Sequence, residues 1–323
     1  ACGCGAGSEP RARARLPVPA ASGTITRRMR RTVFSEEHEL LRSEFRRFAD
    51  AEIGPKVEAW DRAGSSDRES WRRVGEAGFL GANAPEEYGG AGGDFLFDVV
   101  LMEEMARLRA HAMMLSLHSD ICMPYLETYG SEEQKRRYLT RAISGDAVLA
   151  IAMTEPGAGS DLANVQTRAL RDGDEYVLNG SKTFISNGQL CDLCIVVAKT
   201  DPEADPPHRG ISLLLVEADT PGFQRGRNLE KLGLKGQDTS ELFFSDCRVP
   251  AENLLGAEGQ GFKQLMNQLQ QERLCIAVGS IASCRRSLDD TIDYVRQREA
   301  FGQRIAAFQN TQFTLAELAT QVE

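Results

Sequence analysis

Two places in this sequence carry residue types at spacings suited to chemistry. The first is the run Ala152-Met153-Thr154-Glu155-Pro156-Gly157-Ala158-Gly159-Ser160-Asp161. It follows a short apolar segment, 147–152, that reads as a buried strand. A strand opening into a Gly-rich, hydroxyl-bearing loop turns backbone N–H groups and side-chain oxygens toward one point. That arrangement suits an anionic group or the acceptor edge of a cofactor ring. A short piece of this run would be an ordinary turn; Thr-Glu-Pro ahead of Gly-Ala-Gly-Ser-Asp is much more specific. The second place is Glu272. On a helical wheel of about 100° per residue, Leu274, Val278, Ile281, Leu288, Ile292 and Val295 share one side of the segment 262–298. Leu265, Leu269, Cys275, Ile276 and Gly279 surround Glu272 on the other side. A helix apolar on two sides lies between layers, so Glu272 is expected among apolar and small neighbours. Desolvation there disfavours the charged form and lifts the pKa toward neutrality, as a carboxylate general base requires. The same placement admits a structural ion pair, with Arg273 or with an arginine from another element.

The elements that must position these residues fall into three blocks. From Ser35 to about Gly145 the pattern is helical: Ser35 can cap, Glu36 and Glu37 suit a helix N-terminus, and Leu41, Phe45, Phe48 and Ile53 follow at helical spacing. Further helices are expected near 69–77, 95–108, 113–129 and 131–143, with a glycine-dense connection over 86–94. From 147 to about 250 short apolar strands take over, at 176–178, 183–185, 195–197, 211–216 and 242–244, with Asp172-Gly173 and Asn179-Gly180 as hairpin dipeptides. Helix returns after Gly259 over 262–298, breaks near Phe301-Gly302, and resumes near Asn310. The fold class expected is α+β: a leader over 1–30, an N-terminal helical domain over 31–146, a central antiparallel β domain over 147–255, and an incomplete C-terminal helical-bundle domain over 256–323. No G-x-G-x-x-G follows a first strand, which disfavours a nucleotide-binding parallel sheet.

The chain has 323 residues, 41% hydrophobic and 26% charged, with a net charge of −9. That is an ordinary globular balance. It argues against a sequence-independent nucleic-acid binder, and no apolar run approaches a membrane helix. Residues 1–28 of the leader carry five Arg, one Glu and three Pro; the stretch reads as a transit peptide or as upstream sequence before Met29, the latter because prolines interrupt an amphipathic helix. Leu315, Leu318 and Val322 hold helical spacing up to Glu323 without a stop signal, the pattern of a helix cut short. Eight cysteines are scattered through the chain. Cys191-Asp192-Leu193-Cys194 has no second pair and leads into an apolar run, so it is expected to be buried and structural, with no metal. Free cysteines without a secretory signal point to a reducing interior. The compartment expected is the cytoplasm, with the mitochondrial matrix as the alternative.

Taken together, these segments resemble the acyl-CoA dehydrogenase family, most closely its long-chain branch, from about Arg31 to Glu323. The run 152–161 matches the family's flavin loop. Asn179-Gly180-Ser181-Lys182-Thr183-Phe184-Ile185-Ser186-Asn187-Gly188 matches its second flavin strand. Gln271-Glu272-Arg273-Leu274 matches the region bearing the base in the long-chain and isovaleryl branches. Arg298-Glu299-Ala300-Phe301-Gly302 and Phe308-Gln309 match the segment that reaches a neighbouring subunit's flavin. The resemblance implies FAD as cofactor, a fatty acyl-CoA thioester as substrate, α,β-dehydrogenation to the trans-2-enoyl-CoA, electron-transfer flavoprotein as the oxidant, and a homotetramer built as a dimer of dimers.

By position, the resemblance makes Glu272 the base. It sets Ile151, Ala152, Met153 and Thr154 against the flavin ring edge, with Gly159 and Ile185 in the same cofactor shell. Ser160 meets the cofactor phosphates and lies near the CoA thioester arm. Phe184 packs on the isoalloxazine or else is a plain core residue; Ser186 bonds near N5 or is a turn hydroxyl. Arg298 pairs with the FAD diphosphate across a dimer or is a solvated helix-end charge. Gln309 assists it or is a surface amide, and Arg273 holds substrate or the ion pair above. The family's remaining C-terminal helices, with a Gly-rich flavin contact, a backbone donor to the thioester carbonyl and, in other branches, the catalytic Glu, do not appear in the sequence. Alternatives of the same shape are an isovaleryl or branched-chain dehydrogenase, an acyl-CoA oxidase, or a non-catalytic flavin- or acyl-CoA-binding fragment.

Overall fold

The computed structural model of the chain describes residues 31–323; the expected leader, 1–30, lies outside the described residues. In α1 (Glu36–Glu52), Ser35 meets the Nδ1 of His38 with its backbone N–H at 2.9 Å and its hydroxyl at 2.7 Å. Helices α2 (Val57–Ala63) and α3 (Arg68–Glu76) follow, the latter capped by Asp67, which accepts from the Ser70 N–H at 2.8 Å. Helix α4 (Phe95–Leu108), capped by Asp94, is apolar around most of its circumference and is accordingly buried.

The helix expected over 113–129 is instead a π-helical turn, Leu117–Cys122, running into α5 (Met123–Tyr129). Pro124 has no N–H with which to close an ordinary helical bond to the Asp120 carbonyl; the Gln271 side-chain amide donates to that oxygen at 3.1 Å. Helix α6 (Glu132–Gln134) continues through a second π turn, Lys135–Leu139, into α7 (Thr140–Ile143).

Seven strands form one sheet: β1 (Leu149–Ala152), β2 (Arg168–Asp172), β3 (Glu175–Ser186), β4 (Leu193–Lys199), β5 (Ile211–Glu217), β6 (Phe223–Asn228) and β7 (Thr239–Pro250). Pairing is mainly antiparallel, β2–β3, β3–β7, β6–β7 and β4–β5, while β1 runs parallel to β4. Asp172-Gly173 makes the expected hairpin turn. Asn179-Gly180 does not: both residues lie inside β3, and a Cβ at Gly180 would come within 2.4 Å of the Thr167 hydroxyl oxygen. Close backbone approach, not a turn, requires the glycine.

Strand β4 shows how the helices and the sheet share a core. Leu193, Ile195 and Val197 point into the helical core and Cys194, Val196 and Ala198 into the sheet's own core. Burial on both faces is why the strand reads as an unbroken apolar run. Cys191 and Cys194 are fully buried within this packing.

Helix α8 (Gly261–Gln297) follows, 37 residues and about 55 Å long at the standard helical rise. The side bearing Leu265 and Cys275 is buried, whereas Leu274 and Ile281 on the other are about half exposed. The expected two-sided burial is met in part: Ile276 on the first side is also half exposed, and Val295 on the second is buried. A two-strand hairpin, β8 (Glu299–Ala300) with β9 (Gln303–Arg304), turns the chain into α9 (Gln309–Val322).

Candidate active site

Glu272 is half-buried on α8, and its Oε1 accepts a hydrogen bond from the Tyr125 hydroxyl at 2.7 Å. Burial lifts the carboxyl above the ordinary glutamate range; the Tyr125 bond and the Arg273 charge pull the other way without cancelling it. Arg273 itself is exposed and makes no ion pair among the described residues. The partner of Glu272 is thus a buried phenol rather than an arginine, and the ion-pair alternative is not what the fold builds. Burial and the nearby carboxylate hold the Tyr125 hydroxyl well above its usual range, so it remains a donor. The sequence reading missed Tyr125, which sits in an apolar run with nothing to mark its hydroxyl.

A cavity of about 460 Å³ opens along α8 one helical turn beyond Glu272, which does not itself line it; on that helix its wall is Cys275, Ile276, Gly279, Ser280 and Ser283. Its size is that of a small-molecule site. The facing wall is methionine-rich, with Met102, Met105, Met113 and Met114, side chains that adapt to flexible apolar ligands. A Cβ built on Gly279 would meet nothing within 4 Å, so that glycine keeps the wall open. A second cavity, about 610 Å³, is lined by ion-paired residues such as Arg42, Arg46, Glu103 and Glu104. None of the candidate site residues lines either cavity, but only the first begins one turn from Glu272 on the same helix.

The other half of the site is the run 152–161 and the end of β3. The Thr183 N–H donates to the Thr154 carbonyl at 2.9 Å, joining the two motifs directly. Lys182, fully buried, donates from Nζ to the Met153 carbonyl at 3.0 Å and to the Glu155 carboxylate at 2.9 Å. Glu155 also accepts the N–H groups of Gln166 at 2.6 Å and Thr167 at 3.0 Å. Burial pulls the Lys182 ammonium down while the lysine and these donors hold Glu155 low. With two acceptors on Nζ and two backbone donors on the carboxylate, the geometry supports the ionised pair. The signal for Lys182 was present: it continues the inward positions of Tyr176 and Leu178 on β3, and a lysine facing a core must be paired.

A bulge between Lys182 and Ile185 then reverses the alternation. Ile185 goes inward, 3% exposed, and Phe184 turns out, 64% exposed, with φ at +60°. A bulky residue held in the left-handed region is an uncommon, strained position of the kind that clusters at functional sites, and Phe184 is not a core residue. The hydroxyls of Thr154, Ser160 and Ser186 make no hydrogen bond among the described residues, and Gly159 has open space where a side chain would be. Ala152 is buried, and Ile151 and Met153 are half-buried beneath this surface. An uncovered aromatic ring beside free hydroxyls and an open glycine loop fits a planar cofactor with an anionic tail.

The π turn links the two halves. His118 accepts the Leu149 N–H at Nδ1, 3.0 Å, fixing β1, and donates from Nε2 to the Ala142 carbonyl, 3.0 Å. Burial pushes its pKa down to about 4, in keeping with a neutral ring. Arg298 and Gln309 lie apart: one follows the last turn of α8, the other opens α9, both exposed, and their side chains bond to no described residue.

A chain built this way is a flavin-dependent acyl-CoA oxidoreductase, and comparison with known proteins agrees. The models of the acyl-CoA dehydrogenase N-terminal, middle and C-terminal domains match residues 35–146, 150–247 and 259–323. The mitochondrial long-chain specific acyl-CoA dehydrogenase of Rattus norvegicus is 49% identical over 90% of this chain and 68% of its own length. The crystal structure of an acyl-CoA dehydrogenase from Geobacillus kaustophilus superposes with a TM-score of 0.88 at 51% identity, covering 90% of this chain and 77% of that one. An acyl-CoA dehydrogenase from Bacillus anthracis complexed with FAD superposes at 0.84 with 34% identity, over 90% of this chain and 49% of the other. The chain belongs to the acyl-CoA dehydrogenase family, and its cofactor is FAD.

Proposed function

We propose that this chain dehydrogenates medium-to-long-chain fatty acyl-CoA thioesters between Cα and Cβ, with Glu272 taking the α-proton. The observation that carries this reading is the apolar cavity beginning one helical turn beyond Glu272 on the same helix. An acyl chain lying in it places its thioester end toward the carboxylate, whose raised pKa suits proton abstraction near neutral pH. Tyr125 aims the carboxylate and favours its ionised form. Bound FAD supplies the two-electron acceptor for the β-hydrogen. Ile151, Ala152, Met153, Thr154, Gly159, Ile185 and Ser186 hold the flavin, Ser160 its phosphate and CoA end, and Phe184 covers the ring.

Arg298 and Gln309 meet a neighbouring subunit's flavin in a dimer of dimers. Their exposure and lack of partners within the chain support that reading. Arg273 serves the substrate, and electron-transfer flavoprotein reoxidises the enzyme. No helix among the described residues is long and apolar enough to cross a membrane. The compartment proposed is the cytoplasm, with the mitochondrial matrix as the alternative; the rat relative is named as mitochondrial.

The test is Glu272→Gln. The variant is expected to keep its yellow flavin spectrum and to lose anaerobic bleaching by dodecanoyl-CoA. Undiminished bleaching removes Glu272 from the role of base.

A further inference from the structure

One part of the apolar cavity does not suit an alkane. Asp120, on the π turn, lines it and is 5% exposed; Asp98, on α4, is 1% exposed. The two carboxyls face each other within hydrogen-bonding reach, and neither Asp98 oxygen meets an N–H or O–H donor among the described residues. Ionised carboxylates only accept hydrogen bonds, so such a contact needs a proton on one partner. Burial and the charge of Glu127 favour keeping it: Asp98 is pushed up to about 8 and Asp120 also rises well above its usual range. Cys275 lies one turn beyond Glu272, lines the same cavity and feels the field of both aspartates. Asp120 therefore stands on the wall of the cavity whose α8 side begins one helical turn past Glu272, with Asp98 behind it.

We propose that the Asp98–Asp120 pair recognises an oxygenated acyl chain: a fatty acyl-CoA carrying a hydroxyl several carbons from the thioester, whose O–H donates to Asp120 while Asp98 completes the shared-proton pair. This rests on the reading of the cavity as the acyl site. A plain alkyl chain strips water from the cavity side of Asp120 and leaves it only the proton shared with Asp98, which is costly for a buried polar group with acceptor capacity to spare. A hydroxyl restores the bond. The discrimination expected from one hydrogen bond to a charged acceptor is roughly tenfold to a hundredfold.

The experiment uses the flavin-loaded protein, with a positional series of hydroxydodecanoyl-CoAs compared with dodecanoyl-CoA, reading Kd by calorimetry and kcat/KM by flavin reduction. At least one hydroxyl position is expected to be preferred by that factor in both. In Asp98→Leu/Asp120→Leu the ratio is expected to fall to one or below. If the wild-type protein binds and turns over dodecanoyl-CoA as well as every hydroxylated isomer, the carboxyl pair has no such role, whatever the variant does. If no thioester binds or reduces the flavin, the acyl-site reading falls and this proposal with it.

Discussion

Glu272 and Tyr125 share one hydrogen bond whose two ends answer to opposite demands. The carboxylate must be basic enough to take a proton and yet ionised at the working pH. Burial serves the first and the phenol serves the second. A base acts only when deprotonated, so turnover falls as pH drops through the raised pKa of Glu272. Tyr125→Phe removes a bond that favours the charged form and raises that pKa further. The acid limb of the kcat/KM–pH profile is expected to move up by about one to two pH units, the size of a charge-assisted hydrogen bond; an unmoved limb assigns Tyr125 to packing alone. The wheel could put Glu272 among small and apolar residues, but not choose its partner. Periodicity states which face a side chain takes, and Tyr125 comes from a helix whose geometry is set by a π turn that no period reveals. Lys182 was missed because a turn was expected at Asn179-Gly180; alternation along the unbroken strand β3 puts it inward, whereas the outward turn of Phe184 depends on a bulge that alternation alone does not foresee.

At the level of elements, the run 152–161 is held to β3 by the Lys182–Glu155 pair and the Thr183–Thr154 bond. Lys182→Met leaves Glu155 buried with two backbone donors and no counter-charge, and the expected loss is about 3–5 kcal/mol of unfolding free energy, measurable in urea together with a lower flavin-to-protein ratio. Helix α8 is the second determining element. Gly279→Leu extends a side chain into the cavity, so kcat/KM for palmitoyl-CoA should fall roughly tenfold to a hundredfold while butyryl-CoA is spared; a parallel fall for both chain lengths would show that the cavity does not hold the distal chain. Strand and helix positions were readable wherever burial was strong, as in β4, β5 and α4. Strands β2 and β6 were not, because arginines and other polar residues dominate them and most of their positions are exposed.

For the whole molecule, the helical block and the sheet are not independent bodies. Strands β1, β4 and β5 send alternate side chains into both cores, so loosening one core exposes the other. Both tryptophans, Trp60 and Trp71, belong to the helical block. Their fluorescence and the circular dichroism of the full chain should therefore report one denaturation midpoint, as a two-state transition requires; separated midpoints would show that the blocks unfold on their own. The order helices, strands, helices was plain from the change of period along the chain. The shared core was visible only as strands too apolar for a sheet with one wet face.

Helix α8 carries the proposed proton acceptor and, over the next three turns, one bank of the proposed acyl channel on a single unbroken rod. Loop insertions, the usual raw material of new specificities, cannot reach either without breaking it. On that bank, divergence of substrate preference is confined to point changes spaced by three and four along the rod, directly downstream of Glu272, while the facing methionine wall is free to vary apart from it. On the rod itself, retuning chain length and preserving rate are then a single problem for evolution and for the engineer alike.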